Sequence, residues 1–192
     1  VGELAQFFNG EFLPEEDGAV DLEVVWTRGW RRDVLYHDMG LIGCLLMAMA
    51  RPGSLTLIPP EVFLARPAIW LRAIARARAT VSPAPNFAFG LTLRRVRDED
   101  LHGLDLGSWT LALNGAEPIS APLMRRFTER FARFGFDPAA LLPVSGLSEA
   151  TLAVSFSPPG RTFAVRRRGG REVVSVGVPV PGVSIEIRGS DG

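Results

Sequence analysis

Leu142-Pro143-Val144-Ser145-Gly146-Leu147-Ser148-Glu149-Ala150-Thr151 is an apolar, strand-like run that ends in a glycine turn and passes at once to a hydroxyl, a carboxylate and a second hydroxyl. In an α/β sheet such a junction lies at the carboxyl end of a strand, where backbone N–H groups and short polar side chains converge on ligands. There Ser148 and Thr151 can hydrogen-bond an anion. Glu149 can hold a hard cation such as Mg²⁺, which takes carboxylate oxygens alongside ligand phosphates. The same three residues also make an ordinary helix cap with its first-turn acid. The run by itself leaves both readings open.

The segments around it predict an α/β fold. Upstream, Ser120 is placed to cap a helix with Pro122 in its first turn. Leu123, Phe127, Phe131 and Phe134 then form one apolar stripe, read as core, and Gly135 closes the helix. Before that helix, residues 108–113 read as a strand running into Asn114-Gly115. Earlier still, residues 41–51 read as a buried helix stopped by Pro52-Gly53, residues 54–58 as a strand closed by Pro59-Pro60, and residues 79–82 as a short strand entering a Pro-Ala-Pro turn. Between these strands Pro67 opens an amphipathic helix, with Ile69, Trp70, Ala73, Ile74 and Ala77 on one face and Arg72, Arg76 and Arg78 on the other. Strand, helix, strand is the pattern of a βαβ unit, so the expected architecture is a mostly parallel sheet flanked by helices. From Thr162 onward the reading changes: residues 162–167 and 172–178 flank Gly169-Gly170 as a hairpin and residues 183–187 alternate again, which predicts a small β-rich end. The first 32 residues are the least legible, with turn-like stretches at 7–10 and 15–18 and a period-2 strand pattern over 20–26.

Bulk properties narrow the function classes. The chain has 192 residues, 47% hydrophobic, with 21 basic and 21 acidic side chains and zero formal net charge. That suffices for one sizeable core and argues against a nucleic-acid binder, which carries a basic excess. The densest basic cluster, Arg166, Arg167, Arg168 and Arg171, sits at the hairpin tip and reads as solvated charge. A single cysteine, Cys44, excludes an internal disulfide, reads as a small buried hydrophobe and suits a reducing, cytoplasmic setting. The start lacks signal-peptide features, and the longest apolar run, residues 41–50, is short of the ~20 residues of a membrane span.

Three separated motifs carry a family resemblance. Tyr36-His37-Asp38-Met39-Gly40-Leu41-Ile42-Gly43, Asn114-Gly115-Ala116-Glu117-Pro118-Ile119 and the Ser145-Gly146-Leu147-Ser148-Glu149 turn resemble, in order and spacing, those of the adenylate-forming (AMP-binding) acyl ligases. The resemblance is nearest to the fatty acyl-AMP ligase and long-chain acyl-CoA synthetase branch. The phrases Ser82-Pro83-Ala84-Pro85-Asn86-Phe87-Ala88-Phe89 and 174–182 support it. It runs from about Val34 to the end and divides the chain into an unrecognised segment 1–33, an α/β portion of the adenylation domain over 34–160, and a β-rich end over 161–192.

The resemblance implies ATP-dependent activation of a fatty acid carboxylate as an acyl-adenylate, with Mg²⁺ and with CoA or a phosphopantetheine-bearing acyl carrier protein as acceptor. It implies that Glu149 holds the Mg²⁺, that Ser148 donates to phosphate within the Ser145-Gly146-Leu147-Ser148 turn, and that Asn114 with Gly115, Ala116 and Glu117 walls the adenine. His37 would sit beside the acyl carboxylate and the α-phosphate; a structural pair with Asp38 is the rival reading.

The chain departs from the family where Ser145 replaces the usual aromatic, a loss of one stacked face that corresponds to ~1 to 3 kcal/mol by analogy with base stacking. The phosphate loop ending in Lys is not found within residues 1–32. The ribose-binding Asp, the Arg that follows it and the lid with its catalytic Lys are expected beyond Gly192, and residues 155–171 look short. The expectation is therefore the middle portion of an adenylation domain, weakly active or inactive by itself. The alternative is a non-catalytic remnant that binds acyl chains or a partner protein through uncovered apolar walls.

Overall fold

A computed structural model describes residues 37–50 and 53–189, together with the backbone of Val24–Thr27. The expected turns at 7–10 and 15–18, the first part of the 20–26 strand and the Pro52 stop lie outside the described residues.

Among the described residues, seven strands form the main sheet in the order β2-β1-β3-β4-β5-β6-β9. They are β1 (Val24–Thr27), β2 (Leu55–Ile58), β3 (Val81–Pro85), β4 (Leu111–Gly115), β5 (Leu141–Gly146), β6 (Ala153–Phe156) and β9 (Val178–Pro179). The strands from β2 to β5 pair in parallel, while β5 with β6 and β6 with β9 pair antiparallel. A separate hairpin joins β7 (Val165–Arg168) to β8 (Arg171–Val174) through Gly169-Gly170. The helices are α1 (residues 38–50), α2 (Pro60–Ala65), α3 (Ala68–Ala77), α4 (Asn86–Arg95) and α5 (Ala121–Ala132). The expected mostly parallel, helix-flanked sheet with a small β-rich end is what the chain forms.

Strand alternation splits the interior into two cores. Residues of β3, β4 and β5 that face α3, α4 and α5 include Ala84, Ala112 and Leu141. They join an aromatic cluster in which Trp70 lies 5.2 Å from both Phe89 and Trp109 and edge-on to Phe63 at 6.0 Å. Edge-to-face pairs of this kind place the positive ring edge on the negative ring face and strengthen the packing beyond area burial. The Trp70 indole N–H donates to Ser82 Oγ at 2.9 Å, so the buried hydroxyl does not go without a partner. The opposite face, with Val81, Leu111, Leu113, Leu142 and Phe156, packs with Cys44 of α1.

Several local expectations are corrected. The Pro-Ala-Pro stretch is not a turn: Pro83 and Pro85 lie inside β3, buried, and the helix begins directly after at Asn86. Two residues apart, the prolines aim their missing N–H groups the same way. β3 pairs with β4 along its whole length but meets β1 only at Val81, so the gap in the ladder falls toward β1. The strand expected over 108–113 starts at Leu111, because Trp109 turns inward to the aromatic core instead of joining the ladder. On α3, Leu71 is buried where Ile69 was expected, and Ile69 lies at the rim. The helix expected to be buried over 41–51 starts at Asp38 and is covered on one side only, with Met49 74% exposed. Its middle, Leu41–Leu46, is a π-helix in which Met47 N–H bonds to Ile42 C=O. No strand forms over 183–187, where Ile187 is 94% exposed; β9 takes the edge position instead.

The Phe stripe of α5 is core at Phe127 and Phe131, Ser120 caps that helix through Leu123 N–H, and Gly135 follows it at φ +84°. Cys44 is wholly buried, and burial pushes its thiol pKa far up. Among the described residues no helix is long and apolar enough to cross a membrane.

Candidate functional site

β3, β4 and β5 are adjacent and parallel, so their carboxyl ends, Pro85, Gly115 and Gly146, finish side by side. α1 lies over the same end. Between helix and sheet is a cleft of about 90 Å³. Its walls follow from strand alternation: Val81 and Pro83 from β3, Leu113 from β4 and Val144 from β5 all face α1, which contributes Met39, Gly43 and Met47. Leu152, Ala153 and Phe156 close the far side. The polar groups in this apolar lining are few: His37, Asp38 and Ser145, with backbone at Ala116 and Gly146. An apolar pocket with a small number of convergent polar groups is the usual form of a small-molecule site.

The amino end of α1 brings His37 and Asp38 to the cleft mouth. His37 is the residue before the first helical turn, and Asp38 places its carboxylate at the positive end of the helix. Met39 N–H lies 2.8 Å from Asp38 Oδ1 and 3.2 Å from His37 Nδ1, while His37 Nδ1 also contacts Asp38 Oδ1. One nitrogen cannot both accept and donate. The shorter bond, to the charged oxygen, takes the Met39 N–H, and that oxygen's second lone pair accepts a proton on Nδ1. The other carboxylate oxygen, Oδ2, accepts from Ser148 Oγ at 2.9 Å, across 110 residues of sequence.

Ser148–Ala150 is a single tight turn, not the start of a helix, so the helix-cap reading of this stretch is corrected. The chain reverses within six residues because β6 must return antiparallel to β5. Leu147 N–H bonds to Leu152 C=O at 2.9 Å, and Leu152 N–H to Ala150 C=O at 2.8 Å. The second bond closes a three-residue γ-turn around Thr151, at φ 69° and ψ −54°. Positive φ at a β-branched residue is uncommon and strained. At Gly146, where the β5–β6 register shifts, an added Cβ would stand 1.9 Å from Leu152 O, so only glycine lets the two strands close there.

At the end of β4 the expected site residues go different ways. Asn114 is fully buried on the helix side of the sheet, where its Nδ2 lies 3.4 Å from Asn86 Oδ1, itself an acceptor for Ser120 N–H. Gly115 packs on Val144, whose carbonyl oxygen would be 2.7 Å from an added Cβ. Ala116, at φ 65°, turns to the cleft, and the Glu117 carboxylate accepts from Phe87 N–H at the start of α4.

Of the residues singled out in the sequence, the cleft thus collects His37, Ala116, Ser145 and Gly146. Ser148 joins through Asp38. Leu147 and Glu149 are exposed on the adjoining turn, whereas Asn114, Gly115 and Glu117 support the β4 end from outside the lining. Asp38 was named only as a structural partner for His37, a pair the structure forms, and the apolar wall was not singled out. The signal for the wall lay in the alternation of Val81 with Pro83 and of Leu142 with Val144, each pair two residues apart on one face.

Comparison with known proteins fits this geometry. The AMP-binding enzyme family model matches residues 34–192. The chain is 45% identical over 126 residues to the 4-hydroxyphenylalkanoate adenylyltransferase of Mycobacterium tuberculosis, covering 66% of this chain and 20% of that protein. It is 47% identical over 128 residues to the long-chain-fatty-acid–AMP ligase FadD26 of Mycobacterium marinum, covering 67% and 22%. Among solved structures, the fatty acyl-adenylate ligase from L. pneumophila in complex with acyl adenylate and pyrophosphate superposes with a TM-score of 0.77 at 32% identity, over 93% of this chain and 33% of that one. The fatty acid AMP ligase from Legionella pneumophila gives a TM-score of 0.73 at 35% identity, over 83% and 30%. The chain spans about a fifth of the length of the curated relatives it matches.

Proposed function

The chain belongs to the AMP-binding enzyme family, and from that premise we propose that its cleft serves the activation of a fatty acid carboxylate by ATP, giving an acyl-adenylate and pyrophosphate. The observation that carries this reading is one cleft at three parallel strand ends whose walls are apolar and whose mouth holds His37 and Ser145. An acyl chain matches the walls, and a phosphate matches the polar mouth.

In the proposed reaction a carboxylate oxygen attacks the α-phosphorus, the bond to the β-phosphate oxygen breaks, and pyrophosphate leaves. Negative charge grows on the α-phosphoryl oxygens, so fixed N–H and O–H donors lower the barrier most. As an imidazolium, with Nδ1–H held by Asp38, His37 can offer its second ring N–H as such a donor, and Ala116 with Gly146 presents backbone close to the cleft. Among the described residues no cluster of three His, Cys, Asp or Glu gathers for a metal. Mg²⁺ held by one carboxylate, water and substrate phosphates needs none, and the exposed Glu149 fits that role. Such an ion would neutralise phosphate charge. The activated acyl group would then pass to a thiol, of CoA or of the phosphopantetheine on a carrier protein.

The test is calorimetric titration of the 192-residue chain with a non-hydrolysable long-chain acyl-adenylate analogue. Saturable binding, weakened about tenfold or more by His37→Ala, is the expected result, since one hydrogen bond to a charged group is worth about 1.5 to 3 kcal/mol. No binding by the unaltered chain, or binding indifferent to His37, would refute the assignment.

A further inference from the structure

Asp38 ties two of the motifs together. Its side chain is 10% exposed, against 31% for His37, and both carboxylate oxygens are engaged. Oδ1 meets the His37 ring and Met39 N–H; Oδ2 meets the hydroxyl of Ser148. A carboxylate with this little exposure needs hydrogen-bond donors in place of the water it has lost. Here the donors come from the amino end of α1 and from a turn 110 residues away. That turn is the strained one, with Thr151 held at φ 69°. A γ-turn at a threonine persists only when its surroundings over-determine it, and the Ser148 bond is a tie from this turn to a separate element.

We propose that Asp38 is a positioning residue, a clasp that fixes the imidazole of His37 with one oxygen and the Ser148 turn with the other, so that both sides of the cleft mouth are set in one frame. The inference rests on the acyl-adenylate reading for its purpose and on geometry alone for its existence. Through His37, the clasp holds Nδ1 and with it the orientation of the ring at the cleft mouth. Through Ser148, it sets the position of Glu149, the next residue. The Ser148 hydroxyl is committed to Asp38, so its part is to hold the turn instead of reaching for phosphate.

The chain has two histidines, His37 and His102, so imidazole NMR reads His37 directly with His102 as internal reference. In the unliganded chain, Asp38→Asn keeps the shape and removes the charge. The His37 titration midpoint is expected to fall by about 1 pH unit, the effect of losing an adjacent opposite charge, while His102 stays in place. Ser148→Ala strips a donor from the carboxylate and is expected to move the His37 midpoint upward. Glu149, the remaining ionisable side chain on the facing turn, is expected to matter less, so Glu149→Gln shifts His37 by a smaller amount than Asp38→Asn.

Amide exchange at Leu152 reads the turn. Asp38→Asn and Ser148→Ala are each expected to speed it, and the double variant is expected to exchange no faster than the faster single. Ser148→Thr, which keeps the hydroxyl, is expected to restore protection. An unmoved His37 midpoint in Asp38→Asn, or additive effects in the double variant, overturns the clasp. Titration with the acyl-adenylate analogue separates the two ideas. Binding weakened about tenfold by Asp38→Asn, with no further loss from Ser148→Ala, supports the positioning role. Full-strength binding by Asp38→Asn overturns that role and leaves the ligase reading intact. Failure of the unaltered chain to bind sinks the ligase reading and leaves the His37 midpoint to decide the clasp.

Discussion

Replacing Gly146 by Ala adds one methyl group at the point where β5 gives way to the Ser148 turn, and the structure dictates an outsized result. The new Cβ would stand 1.9 Å from Leu152 O and 3.0 Å from Leu152 C. Both are backbone atoms, so no side-chain rotation relieves the contact, and the strands must part by roughly an ångström at their closest point. Parting them removes the Leu147 N–H bond to Leu152 C=O, now 2.9 Å. Overpacking of about 2 kcal/mol together with about 1 kcal/mol for the lost bond gives about 3 kcal/mol of destabilisation. In a chain of this size that lowers Tm by roughly 6 to 12 °C. Gly160→Ala is the control: Gly160 sits at φ +68° with nothing within 4 Å of an added Cβ, so it carries only the left-handed penalty of about 1 kcal/mol. Thermal unfolding followed by circular dichroism measures both. If Gly146→Ala melts no lower than Gly160→Ala, the close approach of β5 and β6 is not as described and the cleft's far wall goes with it.

Cys44, wholly buried with its thiol pKa pushed up by burial, is expected to resist an aromatic disulfide reagent in the folded chain and to react fully in denaturant; rapid native labelling would contradict its packing between α1 and the sheet. Glu172 and Asp98 are held below their ordinary carboxylate range, Glu172 by the Arg125 guanidinium and Asp98 by Arg133 and Arg130. A depressed folded-state pKa contributes stability that is present above the unfolded value and lost as pH falls through the folded one. Stability is therefore expected to decline on acidification below about pH 4.5, the ordinary Glu value. Arg125→Gln is expected to flatten that decline and loosen the β7–β8 hairpin in amide exchange, since Arg125 bonds both Glu172 oxygens at 2.9 Å. A variant with the same acid profile and hairpin protection as the unaltered chain would refute the link.

What the sequence made legible, and what it hid, separates by the range of the interaction. Ser120, Gly135, the Phe stripe and the Gly169-Gly170 hairpin were readable because each depends on neighbours within a turn or two of sequence. Pro83 and Pro85 misled because a proline forbids only its own N–H bond. Whether that bond is needed depends on which neighbouring strand lies on that side, and the ladder between β1 and β3 ends at Val81. Trp109 misled in the same way: its local pattern favours a strand, but the cluster of Trp70, Phe89, Phe127 and Phe136 supplies a better place for an indole.

The site divides along the same line. His37, Ser145 and Gly146 stood out through motif resemblance, and the fold sets them around one cleft. Asp38 was read only as a structural partner for His37, because a carboxylate beside a histidine has several local explanations and its second partner, Ser148, lies 110 residues on. Glycines show the converse. Gly146 and Gly115 read as turn residues, yet neither has positive φ; each is glycine because a backbone oxygen from another residue, Leu152 O or Val144 O, occupies the space a side chain would take. At these junctions the sequence records the absence of a side chain, and only the fold supplies the atom that forbids it. A substitution there consequently tests the approach of two strands, not the flexibility of one, which is why methyl addition at Gly146 discriminates where loosening the turn elsewhere would not.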